Sequence, residues 1–329
     1  MAAGDEHQRR ILTQIAPVSW EHPADRAALN ALRRIPGFDL ALRKIFGLFG
    51  ERALRLAFKA NAVRTSEKQY AWVHARLARV CEVLDLEERP ECYISQTPVV
   101  NAGAVGFGKP FIVLNSSMLE VLSEDEVEAV LGHEVGHILS GHVFYRTLLI
   151  LIRYLVLFRY PLAGLALIPI HVALMEWYRK SELSSDRAGV LAVQNPQVTM
   201  SALMQLAGGM RGVTLDLDEF IAQSDEYRAG GDLLDAVYKV LNVLGQTHPF
   251  AVIRVAELRD WIESGEYDRI LAGEYQHRDE QDDRPYREDL REAAKGYQDG
   301  ARELFDEVDA AVDRLRDRLT GAFRGRTED

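Results

Sequence analysis

The sequence predicts a mainly α-helical protein with a small β-sheet. Three observations carry this reading. Apolar residues recur at helical spacing on both sides of residues 91–115. Between those limits lie three short strand-like runs, ECYIS, TPVVNA and PFIVLN, parted by the Gly-rich turn AGAVGFGK. Just after them, SEDE at 123–126 forms a capping box, in which Ser123 caps a helix start and Glu126 reaches back to it.

The bulk properties narrow the classes. A chain of 329 residues can bury a sizeable core, and 47% hydrophobic with 27% charged residues is ordinary for a soluble globular protein. The net charge of −11 excludes a nucleic-acid binder, because no basic field would draw in phosphates. Cys81 and Cys92 are too few for a zinc ribbon or a disulfide framework, which fits a reducing compartment. The start, MAAGDEHQRRILTQ, lacks the apolar core of a signal peptide, so the expected location is cytoplasmic.

Taken in order, residues 1–66 form a helical N-terminal region. Its amphipathic stretches are ALNALRRI and FDLALRKIFGLFGERALRLAF, with Pro36-Gly37 as the turn between them. A further helix covers 70–86, where His74 reads as a surface or boundary histidine. The strand signals follow, and the helix opened by Ser123 runs into AVLGHEVGHILSGH at 129–142. Residues 147–175 are strongly apolar. Their longest uncharged run, Tyr160 to Met175, has 16 residues and two prolines. That is short of the ~20 residues a bilayer-spanning helix needs, and Arg153 and Arg159 interrupt the first half. Two readings stand for this segment: a buried pair of core helices, or a hairpin lying on a membrane. A helix over 176–192 comes next. Residues 278–289 form a charged linker around Pro285, and the stripe Ala294, Tyr297, Ala301, Leu304, Val308, Ala311 and Leu315 predicts a C-terminal amphipathic helix. The expected division is therefore 1–66, 67–277 and 278–329, with 147–175 as an apolar insertion in the middle part.

The chemistry sits in HEVGH. His133 and His137 are four apart, so on a helix they share a face and can hold one zinc ion through their imidazole nitrogens. Glu134 points slightly around the helix, where it can reach a water on the metal and act as a general base. A zinc enzyme needs a third protein ligand and an open fourth position. His142 is nine residues past His133, about 180° around a continuous helix, so it reads as a structural or helix-end residue. Ser140 and Val143 also stand where the metzincin pattern requires glycine and histidine. The third ligand is expected from the 176–192 helix. There Glu182 and Asp186 share a face, the first to bind metal and the second to orient a ligating imidazole.

The combination of LSEDEVEAVLGHEVGH, an apolar insertion and YRKSELSSDRAG resembles the HtpX-like zinc peptidases, a gluzincin group that includes the CAAX prenyl endopeptidases. Arg179, Glu182 and Asp186 match the group's R-x-x-E-x-x-x-D, and VVNAGAVG, with Asn101-Ala102, matches its strand before the zinc helix. THPFAVIR matches its later histidine-proline pair and arginine. The resemblance runs over roughly residues 70–260. It implies a gluzincin-type metallopeptidase domain with one Zn2+ per chain, acting on a protein or peptide substrate. It also implies His248, and after it Arg254, as donors to the transition-state oxyanion. Residues 99–106 are expected to offer a strand edge to an extended substrate. Membrane members of the group carry clear transmembrane helices, whereas this insertion is broken by arginines and prolines. Contact with a membrane surface is expected in place of a span. The rival classes are a zinc-binding scaffold without proteolysis and a membrane-surface adaptor using 147–175, and the intact Glu134 speaks against the scaffold.

Overall fold

Ser123 starts the helix around which the other elements are arranged. Its hydroxyl accepts the Glu126 N–H, and the Glu126 carboxylate accepts the Ser123 N–H at 2.8 Å, so two otherwise orphaned donors are satisfied reciprocally. The computed structural model describes residues 9–33, 51–106, 108–154, 168–210, 213–229 and 250–279. Through the sheet the chain runs α1 (Pro23–Arg33), α2 (Glu51–Asn61), β1 (Val63–Arg64), α3 (Ala71–Val83), β2 (Cys92–Ser95), β3 (Ala102–Val105) and β4 (Phe111–Asn115). After it come α4 (Met118–Val121), α5 (Glu124–Leu139), α6 (His142–Tyr154), α7 (Ile168–Val193), α8 (Pro196–Gly208), α9 (Leu217–Ala229), α10 (Ala251–Glu263) and α11 (Glu266–Ala272). The protein is mainly α-helical with one small sheet, as the sequence predicts.

The four strands lie in the order β1-β2-β4-β3. β2 and β4 are parallel; β1 and β3 flank them antiparallel, with Ala102 opposite Leu114 and Val105 opposite Phe111. Two details differ from the sequence reading. The AGAV stretch, read as a turn from its composition but as strand from the resemblance, is β3, while the Pro98 segment before it stays outside the strand. Small residues there serve a close approach: a Cβ on Gly103 would stand 2.7 Å from the Arg146 guanidinium. The short β1 also falls within a stretch read as helical, where it pairs with β2.

One core cluster joins the sheet, α3, α5, α7, α8 and α10 to the N-terminal segment through Leu12, Ile15 and Trp20, all fully buried. A second cluster lies between α6 and α7, built from residues such as Leu148, Ile152, Leu174 and Trp177. The described part of the apolar insertion is thus a buried helix pair, and α7 continues without interruption into the helix expected at 176–192. Among the described residues no single helix is long and apolar enough to cross a membrane, and the α5–α6 pair that passes by length and composition is bent by 93°. Residues 155–167, with Arg159 and Pro161, lie outside the described residues, as do Pro36-Gly37, the 280–289 part of the linker and the C-terminal stripe.

The tightest contact is that of α5 on α7. A Cβ built on Gly132 would meet Ala192 Cβ at 2.5 Å, and one on Gly136 would meet Ala188 Cβ at 2.4 Å. From α7, a Cβ built on Gly189 would stand 3.0 Å from the carbonyl oxygen of Ala129. Gly136→Ala should therefore push the helices apart and destabilise by about 1–3 kcal/mol, an overpacking effect. Gly208→Ala, with open space around it, should leave stability unchanged or raise it. Thermal unfolding of the two variants checks this, and equal melting temperatures would contradict it.

Candidate metal centre

The close α5–α7 seam brings together candidate metal ligands that are 45 residues apart in sequence, as Glu182 is from His137. The nitrogens of His133 and His137 and the carboxylate of Glu182 lie within 4.8 Å of one another, and all three residues are largely buried. His133 Nε2 is 3.1 Å from His137 Nε2, while Glu182 Oε1 is 3.2 Å from His137 Nε2 and Oε2 is 3.5 Å from His133 Nε2. Ligands ~2.0–2.1 Å from a tetrahedral ion would stand roughly 3.3 Å from each other. The donor set and its spacing therefore fit a divalent cation.

Behind each imidazole stands a further acceptor. His133 Nδ1 is 3.0 Å from Asp186 Oδ1, and Arg254 holds that carboxylate through Nε at 2.8 Å and Nη2 at 2.5 Å. Arg254 Nη2 also lies 3.4 Å from Glu182 Oε2, so this buried guanidinium faces two carboxylates. His248 lies outside the described residues. The position of His142 differs from the sequence reading. The helix does not continue through it: α5 ends at Leu139, Gly141 takes φ +69°, and α6 starts at His142 on a new axis. The bend turns His142 back onto His137, with the two Nδ1 atoms 3.1 Å apart. Its Nε2 meets Asp25 Oδ2 of α1 at 3.0 Å.

Glu134 is 3% exposed and is held by β3 and α6. Its Oε2 accepts the Ala104 N–H at 2.6 Å and Arg146 Nη1 at 3.0 Å. Arg146 Nη2 also donates to the Ala102 carbonyl at 3.0 Å, and Thr147 hydrogen-bonds both backbone groups of Gly106. β3 is the edge strand of the sheet, and side chains of α5 and α6 engage its backbone at the Ala102 carbonyl, the Ala104 N–H and Gly106. Sequence reasoning passed over Arg146, although a lone arginine in the apolar run FYRTLLILI signals a buried acidic partner.

Burial opposes charge on every group here, and neighbours decide the outcome. At His133 the carboxylates of Glu182 and Asp186 outweigh burial and push the pKa up to about 9. At His137 burial prevails over the hydrogen bond to Glu182, and the value falls to about 4. Burial alone would raise the Glu134 and Asp186 carboxyls. Arg146 with the two imidazoles, and Arg254 with His133, hold them below the ordinary carboxylate range. Glu134 is therefore ionised at neutral pH, the state a proton acceptor requires.

A fold of packed helices over a small sheet, with a buried His-His-Glu cluster and an adjacent ionised glutamate, defines a metal-dependent hydrolase site. Comparison gives the family. Residues 67–262, more than half of the chain, match peptidase family M48, and the chain belongs to it; it is a metalloprotease that acts on protein or peptide substrates. It is 33% identical over 258 residues to the plastoglobule-localized metallopeptidase 48, chloroplastic, of Arabidopsis thaliana, across 77% of this chain and 74% of that one. Shorter matches include protease HtpX homolog 2 of Saccharolobus solfataricus, 32% identical over 31% of this chain and 32% of the other. Protease HtpX of Xylella fastidiosa is 31% identical over 33% and 42% respectively. No solved structure matches the chain.

The Glu134–Arg146 pair generates a stability prediction. Arg146→Met should destabilise the metal-free protein by about 3–5 kcal/mol, because it leaves a buried carboxylate uncompensated. Adding Glu134→Gln should recover a substantial part of that loss in urea unfolding. Strictly additive losses would mean that the two groups are not coupled.

Proposed function

We propose that the protein is a zinc-dependent endopeptidase, with His133, His137 and Glu182 as the ligands of one zinc ion per chain and Glu134 as general base. The observation that carries this reading is the convergence of two imidazoles and the Glu182 carboxylate, with the buried Glu134 carboxylate on the helix that bears the imidazoles. When bound, zinc supplies a Lewis acid that acidifies a water and polarises the scissile carbonyl. Glu134 takes the proton of the attacking water and later delivers it to the leaving amine nitrogen. Its Oε2 is held by Ala104 and Arg146, which leaves Oε1 as the atom that accepts the proton. Asp186, clamped by Arg254, accepts from His133 Nδ1 and fixes that ring with Nε2 toward the metal. For the charge that develops on the carbonyl oxygen, the resemblance offers His248 and Arg254. Arg254 already donates twice to Asp186, which suits it to holding that carboxylate and makes His248 the first donor. The catalytic unit is taken as residues 67–277, with 1–66 and 278–329 flanking it.

The location reading rests on the apolar pair. Ile150 on α6 and Val172 on α7 remain 47% and 56% exposed, which supports contact with a membrane surface through 147–175 for an enzyme we place in the cytoplasm. Carbonate should then extract the protein from membranes, and carbonate-resistant retention lost on deleting 148–174 would overturn the reading.

Two results test the chemistry. Metal analysis should find one zinc per chain, with most of it lost in His137→Ala and in Glu182→Ala; a full complement in Glu182→Ala would remove that residue from the ligand set. Glu134→Gln should keep zinc and fold while peptide hydrolysis falls about 100-fold or more, since glutamine cannot take the proton. Near-normal turnover would assign the base elsewhere.

A further inference from the structure

We propose that Asp25 and His142 are positioning residues of the metal centre: Asp25 holds His142, and His142 fixes the tautomer and ring plane of the ligand His137. The inference rests on the reading of His133, His137 and Glu182 as metal ligands. It extends that centre into α1, which precedes the residues 67–262 that match the family.

The argument is one of hydrogen accounting. The Nε2 atoms of His133 and His137 face each other across the cluster at 3.1 Å, so in a ligating state each ring carries its hydrogen on Nδ1 and needs an acceptor there. For His133 the acceptor is Asp186 at 3.0 Å. His137 has no such carboxylate among the described residues; the group 3.1 Å from its Nδ1 is His142 Nδ1. An imidazole nitrogen accepts only when it carries no hydrogen, so the hydrogen of His142 sits on Nε2. Nε2 lies 3.0 Å from Asp25 Oδ2, an oxygen that also accepts the Ser184 hydroxyl at 2.6 Å. Ser184 in turn accepts the His22 N–H at 2.9 Å. With the ligating nitrogen of His137 being Nε2, the polarity of the relay follows: Ser184 and His142 donate to Asp25, and His137 donates to His142.

The relay is shielded from bulk solvent. His137 is fully buried, and Asp25 and His142 are each 2% exposed. The first turn of α1 is built to deliver the carboxylate. Pro23 opens the helix, His22 Nδ1 accepts the Ala24 N–H at 3.1 Å, and the Ser184 contact ties the turn to α7 two residues past Glu182. The two ligand imidazoles are thus each backed by a buried carboxylate, one directly and one through a second imidazole.

The experiment uses the full-length protein and zinc itself, with affinity read by chelator competition and ligand geometry by the absorption bands of the cobalt(II)-substituted protein. Asp25→Ala is expected to weaken zinc binding about tenfold and His142→Ala about 10- to 100-fold. The double variant should bind no more weakly than His142→Ala, because Asp25 acts through His142. His142→Asn, whose carbonyl oxygen can stand near the place of Nδ1, should recover part of the affinity. The near-isosteric Asp25→Asn should still weaken binding and shift the cobalt bands, and it serves if an alanine variant fails to fold. Affinities of the Asp25 variants within twofold of the natural protein, or additive losses in the double variant, would overturn the relay. A natural protein that binds no zinc, or a His137→Ala variant that binds it as tightly, would instead overturn the ligand assignment and the relay with it.

Discussion

The metal cluster depends on how closely α5 and α7 approach each other. Glu182 is carried on a different helix from the two imidazoles, and its carboxylate reaches them because glycines and alanines line the seam between the helices. Gly132 and Gly136 on α5 meet Ala192 and Ala188 on α7, with Gly189 over a carbonyl of α5. Larger side chains would hold the axes farther apart, and a shift of an ångström is comparable with the tolerance of a ligand set. The two glycines of GHEVGH, Gly132 and Gly136, are therefore as much part of the site as its histidines.

That closeness concentrates charge in a volume that excludes water. Glu134, Asp186, Asp25, Arg146 and Arg254 are all at most 8% exposed. Each is opposed by a partner of the other sign or by an imidazole. Such arrangements add little to net stability, because desolvation offsets most of the attraction. What they supply is orientation. With Asp186 clamped by Arg254 and Glu134 by Arg146 and Ala104, rings and carboxylates are held before any substrate arrives, which is how a preorganised site limits reorganisation during reaction.

The site also draws in parts of the chain outside the two ligand helices. β3 supplies Ala104, α6 supplies Arg146 and His142, and α1 supplies Asp25. The bend at Gly141 matters most among these, since it turns what would have been the far face of one long helix into a wall of the same cavity. It also sets the direction of α6, whose apolar side closes on α7 as a second core.

The sequence by itself determined whatever follows from local spacing. The capping box, the four-residue steps of His133 to His137 and Glu182 to Asp186, and the amphipathic helices are legible because helix geometry maps sequence distance directly onto a face. The strand signals of β2 and β4 were legible for the same reason, as short apolar runs between turn residues. Reading AGAV as a turn was an error of composition, since glycine there makes room for Arg146 and does not bend the chain. Gly141 was visible as a helix-ending residue, yet where His142 would then point was not. Only the tertiary structure decided that His142 meets His137, that Asp25 closes behind it and that Arg146 engages Glu134. Those contacts join residues 5, 12 and 117 positions apart across a bend or between separate elements, where helix periodicity does not apply. Their meeting is set by how closely two helices pack and at what angle a third departs.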